Sequence, residues 1–401
     1  MNIIIIIVAI LLGGYLAFSK RLAASSNWQA TVTPLASIMG SGFLVSAPLL
    51  AGIVGDMAVF AMAILLLLAY MVGEAIRFNI RYFEPIENEG HGIAQDTAFL
   101  SRIVLIVAYF ISITYYLQLL SAFLLNALDI DNPVFADVIT TVLLLSIGII
   151  GMWKGLKELG VVEKYAVALN LGMIGALLIA LLIYNIKLLM AGKWVLSSIS
   201  SAVDFHDLRV LFGLLIVVQG FEISRYLGSA YSAEQRIRTM RASQILSAII
   251  YLVFLALTTI LFHKGLKNDV TAIIEMTRPV AFVLPILIAV AAIGSQFSAA
   301  VADNSGAGGL LEDITHKKLP IRYTYLLILI ITVTLTWSAN VNEIIAYASR
   351  AFALFYMFQS MVAFIVALQH KKLEHRLPRL VTFTFLVFMC FIVFAVGIPS
   401  G

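Results

Sequence analysis

The chain has 401 residues, of which 62% are hydrophobic and only 12% are charged. Soluble domains carry about a quarter of charged residues, so this composition excludes an ordinary soluble enzyme and indicates a polytopic membrane protein. The formal net charge is +4, but the basic residues lie in short turns between apolar runs, and membrane topology explains them better than nucleic-acid binding does. With one cysteine, Cys390, the chain has neither an internal disulfide nor a multi-cysteine metal site.

Twelve apolar runs are long enough to cross a bilayer, since a spanning helix needs about 20 residues. They cover residues 2–18, 31–54, 56–77, 101–126, 134–153, 161–185, 208–228, 242–263, 279–303, 321–338, 342–368 and 378–398. The first run lacks the basic segment and the small-residue cleavage site of a signal peptide, so we interpret it as a retained helix. The predicted fold is all-α, with about twelve transmembrane helices in a single membrane domain.

The turns between these spans differ in charge. One set of alternate turns contains 19 of the 26 Lys and Arg residues, whereas the other set contains six. Because cytoplasmic loops accumulate Lys and Arg, the first set is predicted to face the cytoplasm. Both termini, and an acidic turn with Asp129, Asp131 and Asp137, are then predicted to lie outside a plasma or bacterial inner membrane.

Two spans carry the same pattern, Gly-Phe-x-x-Ser, at residues 42–46 and 220–224. The predicted topology makes these spans cross in opposite directions, so the pattern recurs in two inverted halves. Inverted repeats with interrupted helices are typical of secondary transporters. The predicted organisation is an extra N-terminal helix (1–29), a first repeat (30–186), a second repeat (204–370) and a C-terminal helix (371–401).

The two patterns predict paired interruptions of the helices at the centre of the membrane. Gly40 and Gly42 let the backbone leave helical geometry at little steric cost, and Pro48 favours an interruption. Released N–H groups at a half-helix N-terminus would suit a carboxylate. The alternative is that these glycines only allow close packing of helices.

The same residues resemble a known group of transporters. Gly40-Ser41-Gly42-Phe43-Leu44-Val45-Ser46-Ala47-Pro48 is similar to the signature that opens the first core helix of amino acid-polyamine-organocation (APC) transporters. Gly220-Phe221-Glu222 resembles an element of their sixth core helix, and Tyr70 with Glu74 resembles one of their second. The resemblance implies the LeuT-type five-plus-five fold, with a substrate carboxylate at the first interruption and an amino group at the second.

Eleven residues are predicted to bind this substrate: Gly40, Ser41, Gly42, Phe43, Ser46, Tyr115, Gln118, Gln219, Gly220, Phe221 and Glu222. Aromatic residues such as Tyr115 are also common packing elements. A carboxylate such as that of Glu222 is costly in a membrane, and it could either titrate during transport or act as a structural acceptor.

A candidate Na⁺ site comes from Gly294 and Ser298, which lie four residues apart on one helical face. Residues 294–314 resemble the eighth core helix of sodium:solute symporters, in which such residues bind sodium with carbonyls of the first core helix, here near Met39 and Gly42. The alternative is that Ser298 bonds its own backbone. Some proton-coupled relatives have a lysine where Asn170 stands, which favours sodium here.

Three further polar positions receive open interpretations. Asp303 is predicted to lie near the cytoplasmic end, where solvent could surround it. Arg350, the one base well inside a span, is expected to pair with a carboxylate or reach an aqueous vestibule. Glu74 with Arg77 is interpreted as a surface charge cluster.

Other classes of function lack their motifs. The six histidines lie in or beside turns, and neither H-E-x-x-H nor G-x-S-x-G occurs, so no enzyme is predicted. The internal repeat argues against a channel, and Gly306-Ala307-Gly308-Gly309 lacks the Lys-Ser/Thr of an ATP-binding loop. We predict a secondary transporter of an amino acid or related small organic solute, coupled to Na⁺ or H⁺, without another cofactor or a nucleic-acid partner. A symporter for another kind of solute and a transporter-derived sensor remain the alternatives, and no oligomeric state is predicted.

Overall fold

A computed structural model describes residues 1–130, 132–154, 160–196, 203–263, 269–316 and 318–399, without the side chains of residues 41, 154 and 160–164. These residues form helices and connecting turns. The α-helices are α1 (Asn2–Phe18), α2 (Lys20–Ala23), α3 (Ser26–Val54), α4 (Ala58–Phe78), α5 (Ile93–Ala127), α6 (Pro133–Lys154), α7 (Gly160–Met190), α8 (Phe205–Phe212), α9 (Ala233–Thr258), α10 (Ile273–Thr277), α11 (Leu284–Ile314), α12 (Ile321–Ser338), α13 (Val341–Gln369) and α14 (Arg376–Val396).

Polar residues at the helix starts explain where several spans begin. The Ser25 hydroxyl accepts a hydrogen bond from the Trp28 N–H at the start of α3. A capping box closes the start of α13, where Asn340 and Glu343 each accept a backbone N–H of the other. Such caps satisfy amide groups that have no partner inside the helix.

Each of the twelve predicted spans has a helical counterpart, and the all-α polytopic fold is confirmed. Ten stretches of the described residues are long and apolar enough to cross a membrane, and one of them, Ser26–Ile86, contains two predicted spans. The remaining predicted span is broken. It consists of α8, a 3-10 helix at Leu215–Val218, extended backbone at Gln219, and a second 3-10 helix at Phe221–Leu227.

The predicted interruption at Gly40–Gly42 is wrong in this structure, because α3 is a continuous helix from Ser26 to Val54. Glycines make unwinding cheaper without forcing it, and an intact helix satisfies every backbone group within lipid. A Cβ atom on Gly42 would lie 2.5 Å from Cα of Val217. Gly42 therefore permits close packing, which is the alternative interpretation of this motif.

Two sets of helices pack among themselves. The first, which we call the bundle, contains α3, α4, the broken span 205–227 and α9. In it α3 and α4 pack against α9, and α3 contacts both 3-10 segments. The second group, which we call the scaffold, contains α5, α6, α11 and α12, in which α5 packs against α11 and α6 against α12. The boundaries of the two predicted repeats stay a prediction.

The end of the last helix is joined to the broken span. The Arg209 side chain in α8 donates a hydrogen bond from Nε to the carbonyl of Val396, at 3.0 Å. In return, the N–H of Ile398 donates to the carbonyl of Arg209, at 3.1 Å. These bonds attach the residues after α14 to the half-helix α8.

The N-terminal helix α1 packs against α7 through facing glycines. A Cβ atom on Gly172 would lie 2.7 Å from Cα of Gly13. The backbones of the two helices therefore approach more closely than any side chain would allow, as in other small-residue contacts between membrane helices.

We expect Gly172→Val to separate α1 from α7, because the new side chain would meet the Gly13 backbone. Overpacking of this kind costs about 1–3 kcal/mol, and it should lower the unfolding temperature measured in detergent. Gly14→Ala is the matched control, since no atom lies within 4 Å of its added Cβ. Equal stability of the two variants would contradict the packing interpretation.

Candidate substrate and coupling site

Gly220 fixes the conformation of the broken span. Its φ angle of 115° lies in a region that residues with side chains rarely adopt. A Cβ atom there would also lie 2.5 Å from Oγ of Ser37 and 2.7 Å from the Ser37 carbonyl carbon in α3. Gly220 thus permits both the turn and the close contact between this turn and α3.

Glu222 is buried at the turn and satisfies the released backbone. Its side chain is 2% exposed. The Oε2 atom accepts hydrogen bonds from the N–H of Gly220 and from the hydroxyl of Tyr356, both at 2.9 Å. Glu222 therefore acts as a structural acceptor, which is one of its two predicted roles. Its contact with Tyr356 was not indicated by the sequence.

Other side chains complete the hydrogen bonding of the broken span. The N–H of Ile216 donates to the Ser349 hydroxyl at 2.9 Å. The Tyr251 hydroxyl lies between the carbonyls of Val217 and Ile38, and so joins the broken span to α3. Such side-chain partners are what makes a non-helical backbone tolerable at membrane depth.

Gln219 connects the broken span to the scaffold. Its Nε2 atom donates a hydrogen bond to the hydroxyl of Tyr116 in α5, at 2.8 Å. Both side chains are buried. Bundle and scaffold therefore meet through a polar contact at the level of the turn.

Asp303 in α11 is buried and not solvated, which corrects the expectation from the sequence. Its side chain is 5% exposed, and its Oδ2 atom accepts a hydrogen bond from the Ser112 hydroxyl in α5. Ser112 precedes Tyr116, the partner of Gln219, by about one helical turn, so α5 connects Asp303 to the broken span that contains Glu222. One carboxylate belongs to the scaffold and the other to the bundle.

Neither carboxylate is paired with a base in the part of the chain that the structure describes. The ion pairs among the described residues include neither Glu222 nor Asp303. A buried carboxylate without a cation is costly in its charged form. We call Glu222 and Asp303 together the carboxylate pair.

The predicted cation-site residues lie in different places. Ser298 lines a cavity of about 30 Å³ together with Thr33, Ser37 and Asn170. This volume has room for a single water or a small ion. Gly294 instead faces α7, where its nearest neighbours are Ala166 and Leu169.

The residues of α3 that were assigned to the cation site do not line this cavity. Met39 is buried in the apolar core, and Gly42 packs against Val217. The carbonyl of Gly40 accepts a hydrogen bond from Nε2 of Gln296 in α11, at 2.9 Å. A cation site at Ser298 stays a prediction.

Several predicted substrate-binding residues are packed against aromatic neighbours. The Phe43 ring contacts that of Phe254, with centroids 4.3 Å apart. The Phe221 ring stacks on Tyr356 at 5.3 Å. The fully buried Tyr115 contacts Tyr116, with centroids 5.1 Å apart.

Two other predicted residues are engaged elsewhere. The Ser46 hydroxyl donates to the carbonyl of Phe43 in its own helix, at 2.7 Å. Gln118 lies in the second half of α5 and lines a vestibule of about 550 Å³ whose other residues include Asp129, Asp137 and Asp269. Ser41 falls among the residues whose side chains are not described.

Charged residues line one end of the bundle. A vestibule of about 600 Å³, which we call the arginine vestibule, is lined by residues that include Glu84, Glu87, Arg102, Arg225 and Asp313. Arg225 pairs with Glu87 at 3.4 Å, and Arg102 pairs with Asp313 at 2.8 Å. The ion pairs neutralise this vestibule.

Two basic residues differ from their expected surroundings. Arg77 is 2% exposed and pairs with Glu74 at 3.1 Å, so this pair is partly buried and not a surface cluster. Arg350 donates from Nε to the carbonyl of Phe394 at 2.7 Å, and it forms no ion pair with a described residue. A backbone carbonyl, and not a carboxylate, is thus its partner.

Sequence comparison identifies the family. Residues 20–397 match a family described as APC superfamily transporter. The chain belongs to this family. A protein of Aquifex aeolicus (strain VF5), described as uncharacterized, is 43% identical to this transporter over 366 residues, which are 89% of each chain.

Solved structures support the same fold for this APC superfamily transporter. A manganese transporter of Eremococcus coleocola, in complex with an aromatic bis-isothiourea substituted compound, matches with a TM-score of 0.56. A mutant of the same manganese transporter matches with a TM-score of 0.59. Both are 14% identical, and the alignments cover 94% of this chain and 88% and 87% of the two others. At this identity the likeness concerns the fold alone.

Proposed function

We propose that this APC superfamily transporter is a proton-coupled secondary transporter of a small organic solute that carries an amino group, such as an amino acid or an amine. The observation that carries the proposal is the carboxylate pair. Intramembrane carboxylates without a basic partner are typical of proton relays. Glu222 and Asp303 also come from the two groups of helices that alternating access would move relative to each other.

The hydrogen-bonding character of the site favours a cationic group on the solute. Glu222 and Asp303 both accept hydrogen bonds, from Gly220 and Tyr356 in one case and from Ser112 in the other. An ammonium group donates up to three hydrogen bonds and accepts none, so it complements this set. A substrate carboxylate has less support than the sequence suggested, because α3 keeps its helical N–H bonds at Gly40–Gly42.

Proton coupling follows if one carboxylate binds the proton while the other binds the ammonium group. When both are charged, their repulsion is relieved by one proton and one ammonium group. Joint occupancy would then favour closure of bundle on scaffold, since a ligand shifts a conformational equilibrium only through a difference in affinity. Release toward the arginine vestibule would require separation of pairs such as Arg225–Glu87.

Sodium is the second candidate for the coupling ion, and the Ser298 cavity favours it. Ser37, Ser298 and Asn170, whose side chains all carry oxygen atoms, line that cavity, and hard cations prefer oxygen ligands. The two similar solved structures are described as a manganese transporter. Manganese as the substrate of this chain has less support. The described residues contain no group of three or more His, Cys, Asp or Glu side chains placed to hold a metal ion.

Uptake into proteoliposomes tests these assignments. Labelled amino acids, 1,4-diaminobutane and Mn²⁺ would each be supplied with an inward proton gradient, an inward sodium gradient, or neither. We expect accumulation of an amino-bearing solute under the proton gradient alone. Accumulation that requires a sodium gradient would indicate that the coupling ion is sodium, bound at the Ser298 cavity. Uptake of Mn²⁺ without uptake of any organic solute would refute the proposed substrate class. Binding without uptake would indicate a sensor.

A further inference from the structure

A groove on the membrane-facing side of the fold lies between α5, α13 and α14. It has a volume of about 350 Å³, and its described lining is apolar except for Arg350 and the hydroxyl of Tyr347. Two residues of its wall, Ile103 and Val107, are 39% and 47% exposed. Because both belong to a helix that is long and apolar enough to cross a membrane, we expect the groove to open toward the hydrocarbon of the bilayer.

Arg350 carries a permanent charge into this groove. An arginine stays protonated in proteins, and Arg350 forms no ion pair with a described residue. Its Nε atom donates to the carbonyl of Phe394, and its guanidinium lies 5.7 Å from the centroid of the Phe394 ring. The two terminal nitrogens form no hydrogen bond with a described residue. Their N–H groups are therefore available to a ligand.

The guanidinium of Arg350 lies near one end of the membrane helices. Phe394 is two residues before the end of α14, where carbonyl groups lack partners inside the helix. The predicted topology places this end at the outer surface of the membrane. Arg350 follows the start of α13 by nine residues, which is about 13.5 Å along the helix. Its side chain thus extends from the apolar region toward the outer surface, as long basic side chains commonly do.

These features suit an amphipathic anion. A guanidinium can bind a phosphate through two parallel N–H groups, and the phosphate of a phospholipid carries acyl chains. One such chain would follow the apolar wall from Arg350 past Leu354 and Val107 toward the centre of the bilayer. Tyr347 lies three residues before Arg350, on the same helical face and closer to the outer surface. Its hydroxyl adds a polar group on the side of the lipid headgroup.

The size of the groove favours a lipid over a protein partner. A helix with its side chains is about 10–12 Å in diameter, so a single turn needs more space than the groove offers. The volume lies within the range of about 300–1,000 Å³ that is usual for ligand pockets, and a small inorganic anion would leave the apolar wall uncovered. We propose that this groove is a specific binding site for an anionic phospholipid of the outer leaflet, and that Arg350 selects its negatively charged headgroup.

Lipid binding to the full chain tests the proposal, and the test does not depend on which solute is transported. The protein, freed of lipid in detergent, would be titrated with dimyristoyl phosphatidylglycerol, with phosphatidylcholine of the same acyl chains, and with glycerol phosphate. Native mass spectrometry would count the bound molecules. We expect phosphatidylglycerol to bind about fivefold more tightly than phosphatidylcholine, whose headgroup also carries a positive charge, since a partly exposed ion pair has an effect of this size. Glycerol phosphate should not bind, because it lacks the acyl chains.

Two pairs of variants separate the charge of Arg350 from the shape of the groove. Arg350→Gln should abolish the preference for phosphatidylglycerol. Arg209→Gln is its matched control, because Arg209 also donates from Nε to a carbonyl at the end of α14 but is not among the described residues that line the groove. Val107→Trp should weaken binding of both lipids by filling the groove. Val142→Trp is the second control, since Val142 is 55% exposed on α6, outside the groove.

Several results would overturn the proposal. Equal affinity of the wild type for the two lipids, or an unchanged preference in Arg350→Gln, would do so directly. Loss of the preference in Arg209→Gln as well would show that Arg350 only holds the end of α14. Binding of glycerol phosphate as tight as that of the lipid would indicate a site for a free anion, and a protein retained by the wild type but lost from Arg350→Gln would indicate a protein partner. If Arg350→Gln does not fold, equal lipid binding by Val107→Trp and Val142→Trp would be decisive against the proposal.

Discussion

Asp303→Asn should abolish proton-driven accumulation and reduce it to the level of empty liposomes. Asparagine has nearly the same shape, and its Oδ1 atom can still accept the hydrogen bond from Ser112. The variant loses the negative charge and, with it, the ability to bind and release a proton. The measurement is uptake of the transported solute under an imposed proton gradient, with counterflow exchange measured in parallel.

Asp313→Asn is the control for this prediction. Asp313 lies in the same helix, but it is 66% exposed and pairs with Arg102. An exposed ion pair of this kind contributes about 0–1 kcal/mol, so its loss should leave uptake close to wild type. If Asp303→Asn accumulates solute as well as Asp313→Asn does, the carboxylate at 303 is not part of the coupling.

Gly42→Val should prevent transport while the protein still inserts and folds. Even the first carbon of the new side chain would meet the main chain of Val217 in the broken span. The backbone cannot rotate away as a side chain can, so α3 and the broken span must separate at a cost of about 1–3 kcal/mol. Uptake and the unfolding temperature in detergent are the two readouts.

Gly40→Ala provides the comparison, because its added Cβ would have ordinary contacts of 3.8 Å with Ala299 and 3.9 Å with the carbonyl of Ser295. We expect this variant to transport. Equal activity of Gly40→Ala and Gly42→Val would show that the close approach at Val217 is not required.

The positions of the spans were predictable from the sequence because they depend on local composition. Twenty apolar residues in a row satisfy the bilayer wherever they occur, and all twelve predicted spans have counterparts. The break at Gly220 was predictable for a similar reason, since the glycine stands two residues before a glutamate inside an apolar segment. A carboxylate within a membrane span needs hydrogen-bond donors, and the backbone N–H groups released at a nearby glycine can supply them.

The prediction of an interruption at Gly40–Gly42 was wrong because glycine residues are compatible with two different structures. Glycine permits both an unwound backbone and a close approach, and only the neighbour of Gly42, Val217, decides between them. Local sequence contains no information about that neighbour, which lies 175 residues away in the chain.

The polar centre was predictable only in part. Glu222 and Gln219 were identified from the broken span, whereas Tyr356 lies in an otherwise ordinary apolar helix and gave no signal. Asp303 was identified as polar but placed in solvent. Its burial depends on α5, which covers it through Ser112, and such packing between distant helices is not readable from one segment.

The hydrogen bonds between Arg209 and the residues that follow α14 have a practical consequence. If α8 tilts during a transport cycle, Ile398 either moves with it or loses its hydrogen bond to the Arg209 carbonyl. A spin label or fluorophore placed near Ile398 would thus report each excursion of α8 from a position remote from the polar centre. A bulky fusion at the same place would slow the cycle, so purification tags are better attached at the other terminus.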